Sequence, residues 1–207
     1  ILIAERAGQP IGYALVWRDG KWDGHLPAST ATVREFQAVD AASAYALWRT
    51  LVNLDLQRTI VTPLLAIDDP LFGWLEDWRA ASPRWQDAEH LRIVDLPAAL
   101  GARRYSAPID LRLAVTDDLL EANAGLWRLR GGPEGAQVTR ITAANRSARL
   151  AADLTLDIRQ LGSLYLGGIK AVGLVDAGLI TEHRAGAAEA IGRAFSGDRA
   201  PAPRPVF

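Results

Sequence analysis

The chain has 207 residues, a formal net charge of −1, 49% hydrophobic residues and no cysteine. That length suits one large domain or two small ones with a real core, and the near-zero charge gives no global signal for nucleic acid or an anionic membrane. The missing cysteines exclude disulfides, thiolate metal sites and a cysteine nucleophile, and no apolar run reaches the roughly 18 residues that span a bilayer.

The first residues read as a hairpin. Ile1 to Glu5 and Ile11 to Trp17 are apolar runs on either side of turn residues that include Gly8 and Pro10. Lys21 to Thr30 reads as a loop and Ala31 to Val39 as a third strand. Asp40 is placed to cap a helix from Ala41 to about Leu56, whose apolar stripe includes Ala44, Leu47, Trp48 and Leu51. A strand is expected at Ile60 to Ala66, at a sheet edge because it contains Pro63. Asp69-Pro70 then opens a helix, with Leu71, Trp74, Leu75 and Trp78 on one face. Leu91 to Leu96 is expected to be a strand, and Asp95-Leu96-Pro97 to open a short helix ending near Arg104.

Near Ser106 the pattern changes, and the domain boundary is expected there, dividing residues 1–105 from 106–207. Ile109, Leu111, Leu113 and Val115 alternate with Asp110, Arg112 and Ala114, as in a half-buried strand. Leu126 to Arg130 and Gln137 to Thr142 are expected strands joined by the Gly131 to Gly135 turn. Leu150 to Gly168 is the most informative stretch. Leu150, Ala152, Leu154 and Leu156 alternate. Asp157 then caps a helix in which Ile158, Leu161, Leu164 and Tyr165 share a face, and Gly167-Gly168 ends it. Helices at Lys170 to Asp176 and Arg184 to Phe195 follow, then a proline-rich tail to Val206-Phe207. The sequence therefore predicts an α+β fold in two parts. It opens at Ile1, without methionine and inside an apparent strand, so it reads as a fragment of a longer protein.

Few residues have the spacing of a reactive site. His25, His90 and His183 stand far apart with no metal-ligand spacing, and no serine lies in a G-x-S-x-G elbow, so no metal is expected. Trp85-Gln86-Asp87 sets an aromatic face, an amide and a carboxylate in succession, a combination that holds an ammonium group by cation–π contact and charge; the plainer alternative is a surface loop with its tryptophan packed inward. The terminal carboxylate of Phe207 is the other candidate, because burial raises a carboxylate towards a base's working range.

LDIRQLGSLYLGG (Leu156 to Gly168) resembles the C-terminal domain of the enhanced intracellular survival (Eis) family of acetyltransferases. ALWRTLVNLDL (Ala46 to Leu56), DDPL (Asp68 to Leu71), LRIVDLPAALGARRY (Leu91 to Tyr105) and the closing phenylalanine follow in the family's order. The resemblance implies a degenerate GNAT-like mixed sheet with helices over 1–105 and a sterol-carrier-protein-like α+β domain over 106–207. It implies acetyl transfer from acetyl-CoA to a primary amine of a polycationic acceptor such as an aminoglycoside. It also implies a Trp/Gln/Asp amine pocket matching Trp85, Gln86 and Asp87, although Arg84 stands at the aligned tryptophan position. Phe207 matches the family's terminal residue, whose carboxylate helps deprotonate the amine. Val206 stands where an acidic residue is common, so a less negative pocket is expected. A hexamer is implied as well; the cytoplasmic expectation rests instead on the absence of a recognisable signal peptide, and that of no nucleic acid or membrane partner on the near-zero charge and the lack of a long apolar run.

Glycine-free Gln37 to Ser43 occupies the place of the pyrophosphate-binding turn, and Asp40 sets a negative charge there. The expectation is therefore that the acetyl-CoA-binding domain is missing and the fragment alone is inactive. Two alternatives remain open. The Leu150 to Ile180 segment lines a cavity for an apolar ligand, or the fragment is an oligomerisation scaffold.

Overall fold

The computed structural model describes residues 1–62, 64–86, 89–142 and 152–202. They fall into two compact units, one running from Ile1 to Gln86 and the other continuing to Pro201. The division lies ahead of the boundary expected near Ser106, and packing explains it. Ile93, Leu96, Leu100 and Tyr105 are each at most 3% exposed and sit in the core of the second unit.

In the first unit, β1 (Leu2–Arg6) and β2 (Gln9–Arg18) form the expected hairpin. Ala7 and Gly8 connect them with φ of 52° and 75°, the left-handed pair that matches the twist of a two-residue hairpin loop. The stretch expected as loop contains a short ribbon, β3 (Trp22–Asp23) with β4 (Leu26–Pro27). After β5 (Ser29–Ala38), α1 (Ala41–Val52) crosses over to β6 (Gln57–Val61), which pairs parallel to β5 at the sheet edge. The strand order is β1-β2-β5-β6. α1 stops short of the expected Leu56: Asn53 caps it, and Leu56 itself takes a φ of 61°. Pro63 lies outside the described residues. The core is Ala14, Val33, Trp48 and Leu51, with the Phe36 ring stacked on Trp48 at 4.9 Å. The Asp69-Pro70 start yields only one turn, α2 (Leu71–Trp74), followed by a 3-10 turn at Trp78–Ala81.

In the second unit, residues 91–95 form no strand. Asn123, only 2% exposed, takes the groups that a sheet would have used. Its Nδ2 donates to the Val94 carbonyl at 3.1 Å and to Asp117 Oδ2 at 3.0 Å, and its Oδ1 accepts from the Leu96 N–H at 2.9 Å. Asp117 in turn accepts from Arg92 at 2.6 Å. A side-chain knot thus replaces the expected ladder. The chain then forms α3 (Leu96–Gly101), β7 (Ile109–Thr116), β8 (Gly125–Gly132), β9 (Gly135–Arg140) and β10 (Leu154–Asp157). It continues through α4 (Ile158–Tyr165), α5 (Ala171–Asp176), β11 (Ile180–Glu182) and α6 (Ala187–Phe195). The sheet order is β11-β10-β7-β8-β9, antiparallel except for β10 on β7. The alternating apolar residues of β7, Ile109 to Val115, are all at most 5% exposed. Asp157 caps α4 as expected, in a capping box closed by Gln160. β11, a three-residue strand, has no counterpart among the expected elements.

Candidate functional site

The β5–α1 junction is where a GNAT-type fold would receive a pyrophosphate. A helix N-terminus attracts an anion through unpaired N–H groups, so what those groups already bind decides the matter. Asp40 is extended (φ −153°, ψ 170°) and its Oδ1 accepts from the Ser43 N–H at 2.8 Å. The Ser43 hydroxyl returns within reach of the Asp40 backbone N–H at 3.2 Å, closing a capping box. Arg6 reaches over from β1 and grips both carboxylate oxygens, at 2.9 and 3.3 Å. The Arg6 hydrogen bond, followed by that from the Ser43 backbone, holds the Asp40 carboxyl well below the usual carboxylate range. The helix end therefore carries its own anion, already paired. Nothing in the sequence within four residues of Asp40 announces Arg6, which lies 34 positions away. A pyrophosphate would have to displace this carboxylate, so the residues at the junction do not fit the group.

Trp85 and Gln86 lie at the end of the first unit, outside helix and strand. Trp85 is 82% exposed, which rules out the inward-packed tryptophan of the plainer alternative. Gln86 is also exposed. Asp87, Val206 and Phe207 lie outside the described residues.

Among the described residues no group of three or more His, Asp or Glu side chains is arranged to hold a metal ion. His183 instead meets the Thr155 hydroxyl at 2.9 Å across the β10–β11 pair.

The apolar segment expected to line a ligand cavity is spent on the protein's own core. Leu154, Leu156, Ile158, Leu161, Leu164, Ala171 and Ile180 are each at most 3% exposed and pack with Leu111, Leu113, Leu129 and Ile191. The apolar-ligand reading is not favoured.

Comparison with known proteins places both units. Residues 96–203 match the sterol carrier protein domain and residues 1–93 the acetyltransferase (GNAT) domain. A relative from Streptomyces avermitilis, named only as an uncharacterized N-acetyltransferase, is 36% identical over 200 residues, 97% of this chain and 47% of the relative. The N-acetyltransferase Eis of Mycobacterium tuberculosis is 37% identical over 163 residues, 78% of this chain and 37% of that protein. The crystal structure of Eis1 from Mycobacterium abscessus superposes with a TM-score of 0.75 at 31% identity, over 92% of this chain and 46% of that one. The chain thus spans about half the length of the relatives it matches. One expectation needs correction. The idea that the acetyl-CoA-binding domain is missing conflicts with the acetyltransferase match over residues 1–93. The geometry supports only a narrower statement, that the β5–α1 junction is not built for a pyrophosphate.

Proposed function

We infer the function from a premise of membership: the chain belongs to the Eis-like family of N-acetyltransferases, with a GNAT domain and a sterol carrier protein domain. The activity we propose is acetyl transfer from acetyl-CoA to a primary amine of a polycationic acceptor such as an aminoglycoside. The observation that carries it is the match of both domains, in one order, along nearly the whole chain, to proteins named as N-acetyltransferases.

The chain's own residues take three roles in this reading. Trp85 offers its exposed ring to an ammonium group, Asp87 adds a negative charge, and Gln86 orients the amine by hydrogen bonding. The terminal carboxylate of Phe207 accepts the proton that the amine must lose as it becomes a nucleophile. A homo-oligomer, a hexamer by family resemblance, and a cytoplasmic setting complete the proposal. The test is acetyl-CoA-dependent acetylation of an aminoglycoside by an enzyme of full family length carrying this sequence, followed as thiol release. Absence of thiol release with every polyamine tried would sink the reading. Within that assay, Trp85→Ala is expected to raise the KM for the amine about tenfold, the scale of a lost cation–π contact, with little change in kcat. An unchanged KM would remove Trp85 from the pocket.

A second measurement addresses the junction. Titration of acetyl-CoA into the chain is expected to show no micromolar site that depends on Ser43. A micromolar Kd abolished by Ser43→Pro, in protein that stays folded, would show that the junction does hold the pyrophosphate.

A further inference from the structure

Between α3 and β7 the chain carries two consecutive arginines, Arg103 and Arg104. Both line a pocket of about 410 Å³ that lies wholly within the second unit, and Arg199, just beyond α6, lines it as well. Among the described residues no acidic side chain contributes to its wall, while Pro133 and Leu166 give it an apolar side. The volume falls in the range of small-molecule sites.

Arg103 is the most constrained of the three. Its guanidinium lies against three rings, with centroids 4.5 Å away at Phe195, 5.4 Å at Tyr105 and 5.5 Å at Tyr165. Among the described residues its Nη2 finds one acceptor, the Phe195 carbonyl, while its buried Nε finds none. An arginine has five N–H donors, so most of this fork is unused. Burial pulls the Arg103 guanidinium down from its ordinary value. Among the described residues no carboxylate forms an ion pair with Arg103, Arg104 or Arg199. A half-buried cation without a counter-charge is costly, and an anion in the pocket would offset that cost.

The end of α6 borders the same pocket, and its carbonyls would by themselves repel an anion. They are covered. The Ser106 N–H donates to the Ala194 carbonyl at 3.0 Å. The Ser106 hydroxyl lies 2.7 Å from the Arg193 carbonyl, within reach of those of Ala194 and Ser196, and donates to one at a time. Arg103 takes the Phe195 carbonyl. Lys170 Nζ donates to the hydroxyl of Ser196, a wall residue, at 2.8 Å and brings a fourth positive charge close by.

We propose that this pocket binds a small phosphate monoester, with Arg103, Arg104 and Arg199 meeting the phosphate and Pro133 and Leu166 the apolar part of the ester. Three guanidinium groups with no carboxylate among them suit a group of charge near −2 better than a single carboxylate. Their planar forks match phosphate oxygens.

Titration calorimetry of phenyl phosphate into the whole chain is expected to show one saturable site with a Kd below about 1 mM. The Arg104→Gln/Arg199→Gln chain is expected to bind at least about tenfold more weakly, the scale of a lost charge-assisted hydrogen bond. Both side chains are exposed, so its melting temperature should not move. Arg103→Lys, which keeps the charge but not the fork, should weaken binding too. Should the double variant fold poorly, either single change carries the test. Arg58→Gln removes an exposed charge that does not line the pocket and is expected to leave the Kd unchanged. Benzoate has the ring with one charge and inorganic phosphate the charge without the ring; each should bind more weakly than phenyl phosphate. No saturable binding up to about 10 mM probe would overturn the proposal, as would an unchanged Kd in the arginine variants or an equal loss in Arg58→Gln. Benzoate bound as tightly would overturn the phosphate assignment, and inorganic phosphate bound as tightly would overturn the role of the apolar wall.

Discussion

Appending a few glycines after Phe207, in an enzyme of full family length, is expected to lower kcat by about 10²–10⁴-fold, the usual cost of losing a positioned general base. The chemistry in question belongs to the backbone, so replacing the phenylalanine side chain is the wrong experiment. Extension replaces the terminal carboxylate by a neutral amide and moves the charge several residues on. The loss should fall on kcat rather than KM, since proton removal belongs to the transition state. Deleting Phe207 leaves a carboxylate on Val206, one residue short and without the aromatic ring, and is expected to be similarly damaging. Wild-type kcat in the extended enzyme would reduce the terminus to a packing element.

The second large effect concerns stability. Asp153 is 3% exposed and ties three segments of the second unit together. Its Oδ2 accepts from the Arg112 N–H at 2.7 Å, and its Oδ1 from Arg112 Nη2 at 3.0 Å and Arg184 Nε at 2.9 Å. Its backbone donates to the Arg112 carbonyl and accepts from the His183 and Arg184 N–H groups. The carboxylate thus joins β7 and β10 to the loop that enters α6. Asp153→Ala leaves an N–H of the central strand β7 and two guanidinium groups without their shared acceptor. About 3 kcal/mol is expected to be lost. Calorimetry should show the transition of the second unit on the order of 10 °C lower. A shift below the scatter of surface substitutions would mean that water replaces the carboxylate at little cost.

The same carboxylates set the acid limit of the fold. Burial alone would push the Asp153 carboxyl up, but hydrogen bonds from Arg112 and the charges of Arg112 and Arg184 outweigh it and hold the carboxyl below its ordinary value. Asp117 is depressed in the same sense, burial being outweighed by Asn123, the Leu120 and Leu119 N–H groups and Arg92. A carboxyl whose folded pKa lies below its unfolded value stabilises the fold above the unfolded pKa, near 3.9 for Asp. That contribution is lost as pH falls through the folded value. Stability is therefore expected to be level above about pH 5 and to drop steeply below about pH 4. Asp153→Asn should flatten the acid limb as well as lower the plateau. An acid limb unchanged by Asp153→Asn would assign the dependence to other groups.

Short-range features were legible in the sequence. Caps and periodicity are settled by residues within about four positions of one another. Asp40 and Asp157 each start a helix as their spacing dictates. The alternation from Ile109 to Val115 became a strand with one buried face. The strand-to-helix switch at Asp157 held for the same reason, an N-cap following directly on an alternating run.

Tertiary contact decided what lay beyond that range. Leu91 to Leu96 has the composition of a strand, but Asn123 claimed the Val94 carbonyl and the Leu96 N–H from nearly 30 residues away. β11 is too short to show a period, and β10 supplies its pairing. Arg6 neutralises Asp40 from 34 positions away, and Arg103 and Ser106 cap α6 from about 90. No local pattern encodes such pairs, because a long polar side chain finds its partner only once the backbone has brought the two segments together. The match to a family, carried by motifs spread along the chain, was legible before any coordinate. How the β5–α1 junction treats an anion, and how the tail leaves its helix, depended on those distant partners.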